Sequence, residues 1–116
     1  MVSEQQVREI TLSLPETEEV VYERLPGFRV KKKLFARIRQ KPEALVAMRP
    51  SIADKEALIA AEPKKYFQTP HYEGHHAVLV TLETISLQEL ADILNVAWTC
   101  TAPRRLVERF NDDSAI

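Results

Sequence analysis

The sequence predicts an α+β fold in which helices pack on one face of an antiparallel sheet. Two stretches, residues 34–40 and 45–49, alternate between apolar and polar side chains, which is typical of paired strands. Ser86 with Glu89 forms a capping box that precedes an apolar stripe with helical spacing. In a domain with one sheet and several helices, the sheet buries one face against those helices.

The elements before the central hairpin follow from local signals. A capping box and an apolar stripe predict a first helix over residues 4–13. Alternation predicts a strand over residues 17–24, and Leu25-Pro26-Gly27 predicts the turn that ends it. The lysines at residues 31–33 repel one another and resist burial, so we expect them in a turn.

The hairpin of residues 34–40 and 45–49 has two chemically different faces. Successive strand side chains point to opposite faces of a sheet, so an alternating sequence separates apolar from charged residues. One face is expected to meet the core and the other to stay exposed. The apolar face comprises Leu34, Ala36 and Ile38, and the exposed face comprises Phe35, Arg37 and Arg39.

The C-terminal half contains three further helices and one more strand. Residues 52–61 suit a short helix, and the aromatic-rich residues 62–74 suit an irregular loop. Residues 76–82 are apolar on both faces, which favours a central strand. The stripe over residues 87–98 predicts a long helix, and Pro103 opens the last one. The predicted order is α-β-β-β-α-β-α-α.

Length and composition limit the class of protein. A chain of 116 residues with 45% hydrophobic residues can bury one core, so we expect a single domain over residues 1–116. No apolar run approaches the ~20 residues of a membrane helix, and the N-terminus lacks a signal-peptide pattern. The lone Cys100 cannot form an internal disulfide. These features predict a soluble cytoplasmic protein without a membrane partner, with a monomer as the default state.

Charge is segregated along the chain. Residues 24–65 hold twelve basic and four acidic side chains, a net charge of +8. Residues 1–23 carry a net charge of −5, and residues 66–116 carry −4. A surface of one sign attracts an oppositely charged partner, although a run of charges is also typical of an ordinary solvated surface.

Catalytic and metal-binding patterns are weak. His71, His75 and His76 fall within six residues, but metal sites usually draw ligands from several elements, and Cys100 lies 24 residues further on in an apolar helix. A phosphate-cradling loop is rich in glycine, and the whole chain has only two glycines, so such a loop is excluded. The sequence therefore predicts no enzyme, no metal site and no cofactor.

Nucleic-acid binding is the function that the basic segment favours. Cations on a strand face and in a turn can approach a duplex that carries one charge per ~1.7 Å of axis. Phe35 shares the expected exposed face and could stack on a base, unless a helix covers it. The partner expected is double-stranded DNA. The candidate nucleic-acid-binding residues are Lys31, Lys32, Lys33, Phe35, Arg37, Arg39, Lys41 and Arg49.

A second hypothesis is a small-molecule or protein-interaction domain. The aromatics between two prolines and a glycine imply a loop pinned by its own side chains. Those side chains either anchor the loop or line a site, and the sequence leaves both alternatives open. The candidate pocket residues are Tyr66, Phe67, His71, Tyr72 and His76.

The order and spacing of several segments carry a family resemblance. They are Leu25-Pro26-Gly27-Phe28-Arg29-Val30 running into residues 33–37, then residues 67–72, residues 77–80 and residues 89–106. With these segments the chain resembles the MmcQ/YjbR family of small α+β proteins of bacteria, from about residue 7 to residue 110. Lys32 departs from the glycine that the family pattern has in its turn.

The resemblance implies a fold like that of CyaY and frataxin, with helices on one face of the sheet. It also implies the family's label of DNA-binding protein, which refers to a proposed double-wing arrangement. Frataxin-like metal handling is a further implication of the fold, for which a solvated acidic surface is the alternative explanation. Its candidate residues are Glu4, Glu9, Glu16, Glu18, Glu19 and Glu23.

Overall fold

The computed structural model describes residues 1–40 and 42–114. Six antiparallel strands form one sheet in the order β1-β2-β3-β4-β6-β5, so the predicted α+β class is confirmed. In chain order the elements are α1 (Glu4–Leu12), β1 (Thr17–Tyr22), β2 (Leu25–Val30), β3 (Lys33–Arg39), β4 (Ala44–Met48), α2 (Ile52–Ala61), β5 (Tyr66–Phe67), a 3-10 turn (Pro70–Tyr72), β6 (Ala77–Val80), α3 (Leu87–Thr101) and α4 (Arg104–Ser114).

The main core lies between the sheet and the helices. Phe28 of β2, Leu45 of β4 and Leu90 of α3 are fully buried in it. Trp98 of α3 is also fully buried, and its Nε1 donates a 3.0 Å hydrogen bond to the Pro15 carbonyl. A buried indole N–H normally finds such an acceptor, so this bond fixes the segment after α1 against α3. None of the helices in residues 1–40 and 42–114 is long and apolar enough to cross a membrane.

The turn predicted at Leu25-Pro26-Gly27 is wrong, because these residues belong to β2. The chain reverses at the two residues before this stretch, Glu23 and Arg24, whose φ angles are 48° and 70°. A two-residue hairpin turn of type I′ needs positive φ at both positions, which usually selects glycine, asparagine or aspartate. Pro26 is tolerated in the strand because pairing between β2 and β3 starts only at Gly27.

The β2–β3 turn is built in the same way from lysines. Lys31 and Lys32 have φ angles of 47° and 70°, and Lys33 begins β3. The predicted turn is confirmed for Lys31 and Lys32. Lys32 occupies a left-handed position, which explains why a glycine would be favoured there.

A β-bulge changes the faces predicted for β3. Phe28 pairs with Ala36 and Arg29 pairs with Leu34, so Phe35 has no opposite residue. Ala36 packs in the core as predicted, but Phe35 packs there too and is only 1% exposed. The prediction that Phe35 shares an exposed face with Arg37 is therefore wrong. Leu34 is turned to the opposite side of the sheet, away from the core in which it was expected.

The face of the sheet opposite the helices is partly covered. Val46, Ala77 and Leu79 form a second buried cluster there, and Tyr72 of the 3-10 turn closes over it. Strand β6 is consequently buried on both faces, as its sequence predicted. The segment after β5 therefore creates a wall across the outer face, which we define as the face turned away from α3.

Candidate functional site

The cations predicted to form one phosphate-binding surface are divided among neighbouring carboxylates. Lys31 forms an ion pair with Glu16. Arg49 is buried, and its Nε donates a 2.6 Å hydrogen bond to Asp54 Oδ1. The same pattern extends to Arg8, Arg29 and Arg37, whose acidic partners come from residues 1–23. Three basic residues of segment 24–65, namely Arg29, Lys31 and Arg37, thus have acidic partners from residues 1–23.

These ion pairs also engage the acids that frataxin-like metal handling would require. Glu18 lies directly opposite Arg29 in the β1–β2 ladder, with 2.6 Å between Oε1 and Nε. Glu19 holds Arg8 of α1 with two hydrogen bonds, of 2.7 and 3.1 Å. Within residues 1–40 and 42–114, no group of three or more His, Cys, Asp or Glu side chains could hold a metal ion.

The remaining candidate nucleic-acid-binding residues lie in different places. Lys32 and Lys33 are exposed at the β2–β3 turn, and Phe35 is buried. Arg39 lies half-buried at the far end of β3. Lys41 lies outside the described residues. The structure does not bring the described side chains of this set onto one bare face.

A cleft of about 260 Å³ opens on the outer face, where β3 and β4 meet the segment after the 3-10 turn. We call it the apolar cleft. Its floor is the outer surface of the sheet, and its wall consists of aromatic and histidine side chains. The floor includes Leu34, Val46, Met48 and Ala77, and the wall includes His71, Tyr72, His75 and His76.

A second cleft of about 430 Å³ adjoins the first, and we call it the polar cleft. Arg37, His71 and Tyr72 line both clefts and form the boundary between them. The remaining lining of the polar cleft comes from the β1–β2 turn, from β2, from the end of β3 and from the loop before the 3-10 turn. These residues are Glu23, Leu25, Arg39, Gln40 and Thr69.

Arg37 is held at this boundary by three neighbours. Its Nη2 donates a 2.5 Å hydrogen bond to the Tyr72 hydroxyl, and Nη1 lies 3.4 Å from Glu23 Oε2. Its guanidinium carbon lies 5.0 Å from the centroid of the Tyr22 ring, within the range of a cation–π contact. A guanidinium has five N–H donors, and these bonds use two of them. The side chain is only 13% exposed, so the charge is fixed in position at the clefts.

The wall of the apolar cleft is a packed group of rings. His71 and His75 stack at 19° with their centroids 5.8 Å apart. Tyr72 meets the edge of each, at 4.9 Å from His71 and 5.9 Å from His75. The loop aromatics therefore contact one another and also line the apolar cleft.

Lys55 of α2 is a residue that the sequence analysis missed. It is fully buried, and its Nζ donates hydrogen bonds of 2.6 Å to the Tyr72 carbonyl and 2.8 Å to the His75 carbonyl. Burial lowers the pKa of this ammonium group. Its spacing in the sequence could have indicated this burial. Lys55 precedes Leu58 and Ile59 by three and four residues, which places it on the same apolar face of the helix. Lys55 thus positions the wall of the apolar cleft from behind.

The candidate pocket residues divide between the two faces of the sheet. Of the five, His71, Tyr72 and His76 line the apolar cleft. Tyr66 and Phe67 are neighbours in β5 and therefore point in opposite directions. Tyr66 is buried in the main core and lines a groove beside α2 and α3, whereas Phe67 packs against the second cluster.

Three comparisons with known proteins bear on the chain. The family model described as YjbR matches residues 12–100. The crystal structure of protein DR2400 of Deinococcus radiodurans, described with a DUF419 domain, has a similar fold with a TM-score of 0.67 and 24% identity. That match covers 80% of this chain and 73% of the other.

Relatives with closer sequences match a shorter stretch. The uncharacterized proteins Rv2570 of Mycobacterium tuberculosis and Mb2600 of Mycobacterium bovis are each 48% identical over 56 residues. The match covers 48% of this chain and 43% of each relative, so the chain matches less than half the length of these proteins.

Proposed function

The chain belongs to the YjbR family, and from this premise we propose that it is a small-molecule-binding domain that uses the apolar cleft and catalyses no reaction. Family membership accounts for the fold, whereas the function has to be argued from the site. The proposal includes a cytoplasmic setting, which the unpaired Cys100 supports.

The observation that carries this proposal is the combination of an apolar floor with an immobilised cation in one concave site. Small-molecule sites are typically concave, mostly apolar and equipped with a few polar groups that fix orientation. Leu34, Val46 and Met48 supply the apolar surface. Arg37, fixed by Tyr72, supplies the orienting charge. The volume of about 260 Å³ is slightly below the range of typical ligand pockets, ~300–1,000 Å³, so the cleft suits a small ligand.

Our proposal of a non-catalytic domain concerns nucleophilic catalysis by serine, cysteine or carboxylate side chains in the cleft. Nucleophilic catalysis needs a nucleophile within hydrogen-bond reach of a base. Among the described residues that line the apolar cleft, the ionisable groups are one arginine, three histidines and two tyrosines. Serine, cysteine and carboxylate side chains are not among those lining residues.

A neutral aromatic probe tests the proposed function. We expect 2-naphthol, added to ¹⁵N-labelled protein, to shift the amide signals of Ala36, Val46 and Ala77. Leu34→Trp fills the cleft with a bulky side chain and should abolish these shifts. The control is Val21→Trp on the 83% exposed Val21 of β1, which should leave them intact. Signals that do not move, or that move equally in Leu34→Trp, would overturn the proposal.

Duplex DNA binding is a second candidate, favoured by the exposed lysines of the β2–β3 turn. Every phosphate that a protein neutralises steepens the dependence of log affinity on log salt by ~0.9. In a fluorescence anisotropy titration, Lys32→Ala combined with Lys33→Ala should therefore reduce that slope by about two, whereas Lys64→Ala serves as a control at another exposed lysine. A duplex that gives no signal at low salt would eliminate this candidate.

A further inference from the structure

The polar cleft contains a buried hydroxyl without a partner. Thr69 Oγ1 has no hydrogen bond within residues 1–40 and 42–114, although its surface is inaccessible to solvent. Buried side-chain hydroxyls are paired in the large majority of cases, and an exception calls for a specific explanation such as an ion or ligand that is bound there. Thr69 precedes the 3-10 turn and is one of the residues that line the polar cleft, so a turn of its side chain would bring the unpaired hydroxyl to the open volume.

The charge around this hydroxyl favours an anion. Arg37 and Arg39 both line the polar cleft, whereas Glu23 is the one carboxylate among its described lining residues. The Glu23 side chain is 69% exposed, and its contact with Arg37 is long, at 3.4 Å. An exposed carboxylate at that distance is weakly held and can turn into solvent. The fixed guanidinium of Arg37 would then face an incoming anion.

The two clefts are continuous at the boundary formed by Arg37, His71 and Tyr72. One end of a ligand bound in the apolar cleft would therefore lie next to the polar cleft. A polar group at the end of the ligand nearest the polar cleft would lie between Arg37 and Thr69. The arrangement selects a ligand with two chemically different parts.

We propose that the ligand is an apolar molecule that carries an oxyanion, and that the polar cleft binds the oxyanion. The Thr69 hydroxyl donates to an anionic oxygen, and the guanidinium of Arg37 donates further N–H bonds, with Arg39 contributing positive charge. Charge-assisted hydrogen bonds of this kind bind carboxylate and phosphate groups strongly. The apolar part of this inference rests on the proposed function, whereas the anion site rests on the polar cleft.

Three probes with one ring system separate the two parts. 2-Naphthol is the neutral probe, 2-naphthyl phosphate carries a phosphate monoester, and 2-naphthoate carries a carboxylate. We expect at least one of the two anions to bind about tenfold tighter than 2-naphthol in calorimetric or NMR titrations, since hydrogen bonds to charged groups are the stronger class. The difference between the phosphate and the carboxylate identifies the source of the oxyanion.

Variants at Thr69 and Glu23 assign the effect to the polar cleft. Thr69→Val should weaken binding of the anion about tenfold and leave 2-naphthol unchanged, while Thr69→Ser should retain the anion. Because the hydroxyl is unpaired in the free protein, Thr69→Val should also raise the Tm. Glu23→Gln should tighten anion binding, and Glu83→Gln, which changes the net charge equally at an exposed site away from the clefts, should not.

The outcomes separate the two proposals. If 2-naphthol binds and the anions bind no tighter, or if Thr69→Val binds anions normally, the anion site is overturned and the proposed function survives. If an anion binds in a Thr69-dependent manner while 2-naphthol does not bind, the anion site is supported and the apolar-cleft function is overturned. If none of the three probes binds, both proposals fail.

Discussion

The Tyr72 hydroxyl accepts a 2.5 Å hydrogen bond from Arg37 Nη2, which ties the middle of β3 to the 3-10 turn 35 residues later. This contact holds the wall of the apolar cleft against the sheet. It also fixes in place a half-buried strand arginine that was expected to contact phosphates. The wall is therefore held by the Arg37–Tyr72 bond at the front and by the Lys55 hydrogen bonds from behind.

Removing the Tyr72 hydroxyl should destabilise the fold. A hydrogen bond to a charged group contributes ~1.5–3 kcal/mol, so Tyr72→Phe should lower the free energy of unfolding in urea by that amount. Tyr22→Phe is the matched control, because it keeps the ring that contacts Arg37 and should change stability by less than ~0.5 kcal/mol. Equal losses in the two variants would contradict a specific contribution from the Arg37–Tyr72 bond.

Lys55→Met should loosen the wall of the apolar cleft. The substitution leaves the carbonyls of Tyr72 and His75 without their donor, and burying unsatisfied acceptors costs ~1–3 kcal/mol. Amide hydrogen exchange should accelerate over residues 70–76, together with a lower free energy of unfolding. Lys64→Met, at an exposed lysine, provides the comparison. Unchanged exchange in Lys55→Met would show that the loop is held by other contacts.

The ion pair of Lys65 with Glu89 should make stability depend on acid pH. Lys65 Nζ lies 2.5 Å from Glu89 Oε2 and holds the pKa of this carboxyl at about 2, below its ordinary value of 4.5. Between these values the unfolded chain binds more protons than the native state. The stabilisation is therefore fully present above about pH 4.5 and is lost as the pH falls toward 2.

Glu89→Gln tests this linkage without removing the helix cap. A glutamine at this position can still accept the hydrogen bond from the Ser86 backbone N–H. Calorimetric Tm values should fall less steeply from pH 4.5 to pH 2 in Glu89→Gln than in the wild type. Glu83→Gln, at an exposed glutamate, should keep the wild-type slope. Identical slopes in all three proteins would refute the linkage.

Phe35 should behave as a core residue. Truncating a buried phenylalanine to alanine costs ~3–5 kcal/mol, because apolar packing is removed and a cavity remains. Phe35→Ala should show this loss in denaturant unfolding, whereas Val21→Ala at an 83% exposed position should change stability by less than ~0.5 kcal/mol. A small effect at Phe35 would indicate that the side chain is exposed in solution, as the simple strand alternation predicts.

Local signals in the sequence were sufficient for the helices. Ser3 with Gln6 and Ser86 with Glu89 form the capping boxes that the sequence predicts, and α2 has the bounds expected for it. A capping box satisfies backbone donors within one turn, so its residues are neighbours in sequence as well as in space. The start of strand β2 escaped prediction because Pro26 and Gly27 are typical of turns, whereas the actual turns use charged residues with positive φ.

The sequence by itself determined the α+β class, the helix positions and the separation of charge along the chain. Only the tertiary structure decided where those charges and aromatics act, because their partners lie far away in the sequence. Pairing of β1 with β2 sets Glu18 opposite Arg29, and the bulge at Phe35 exchanges the faces expected for that residue and Leu34. Strand pairing and loop packing bring together residues that no local pattern connects, and the two clefts on the outer face arise from those contacts.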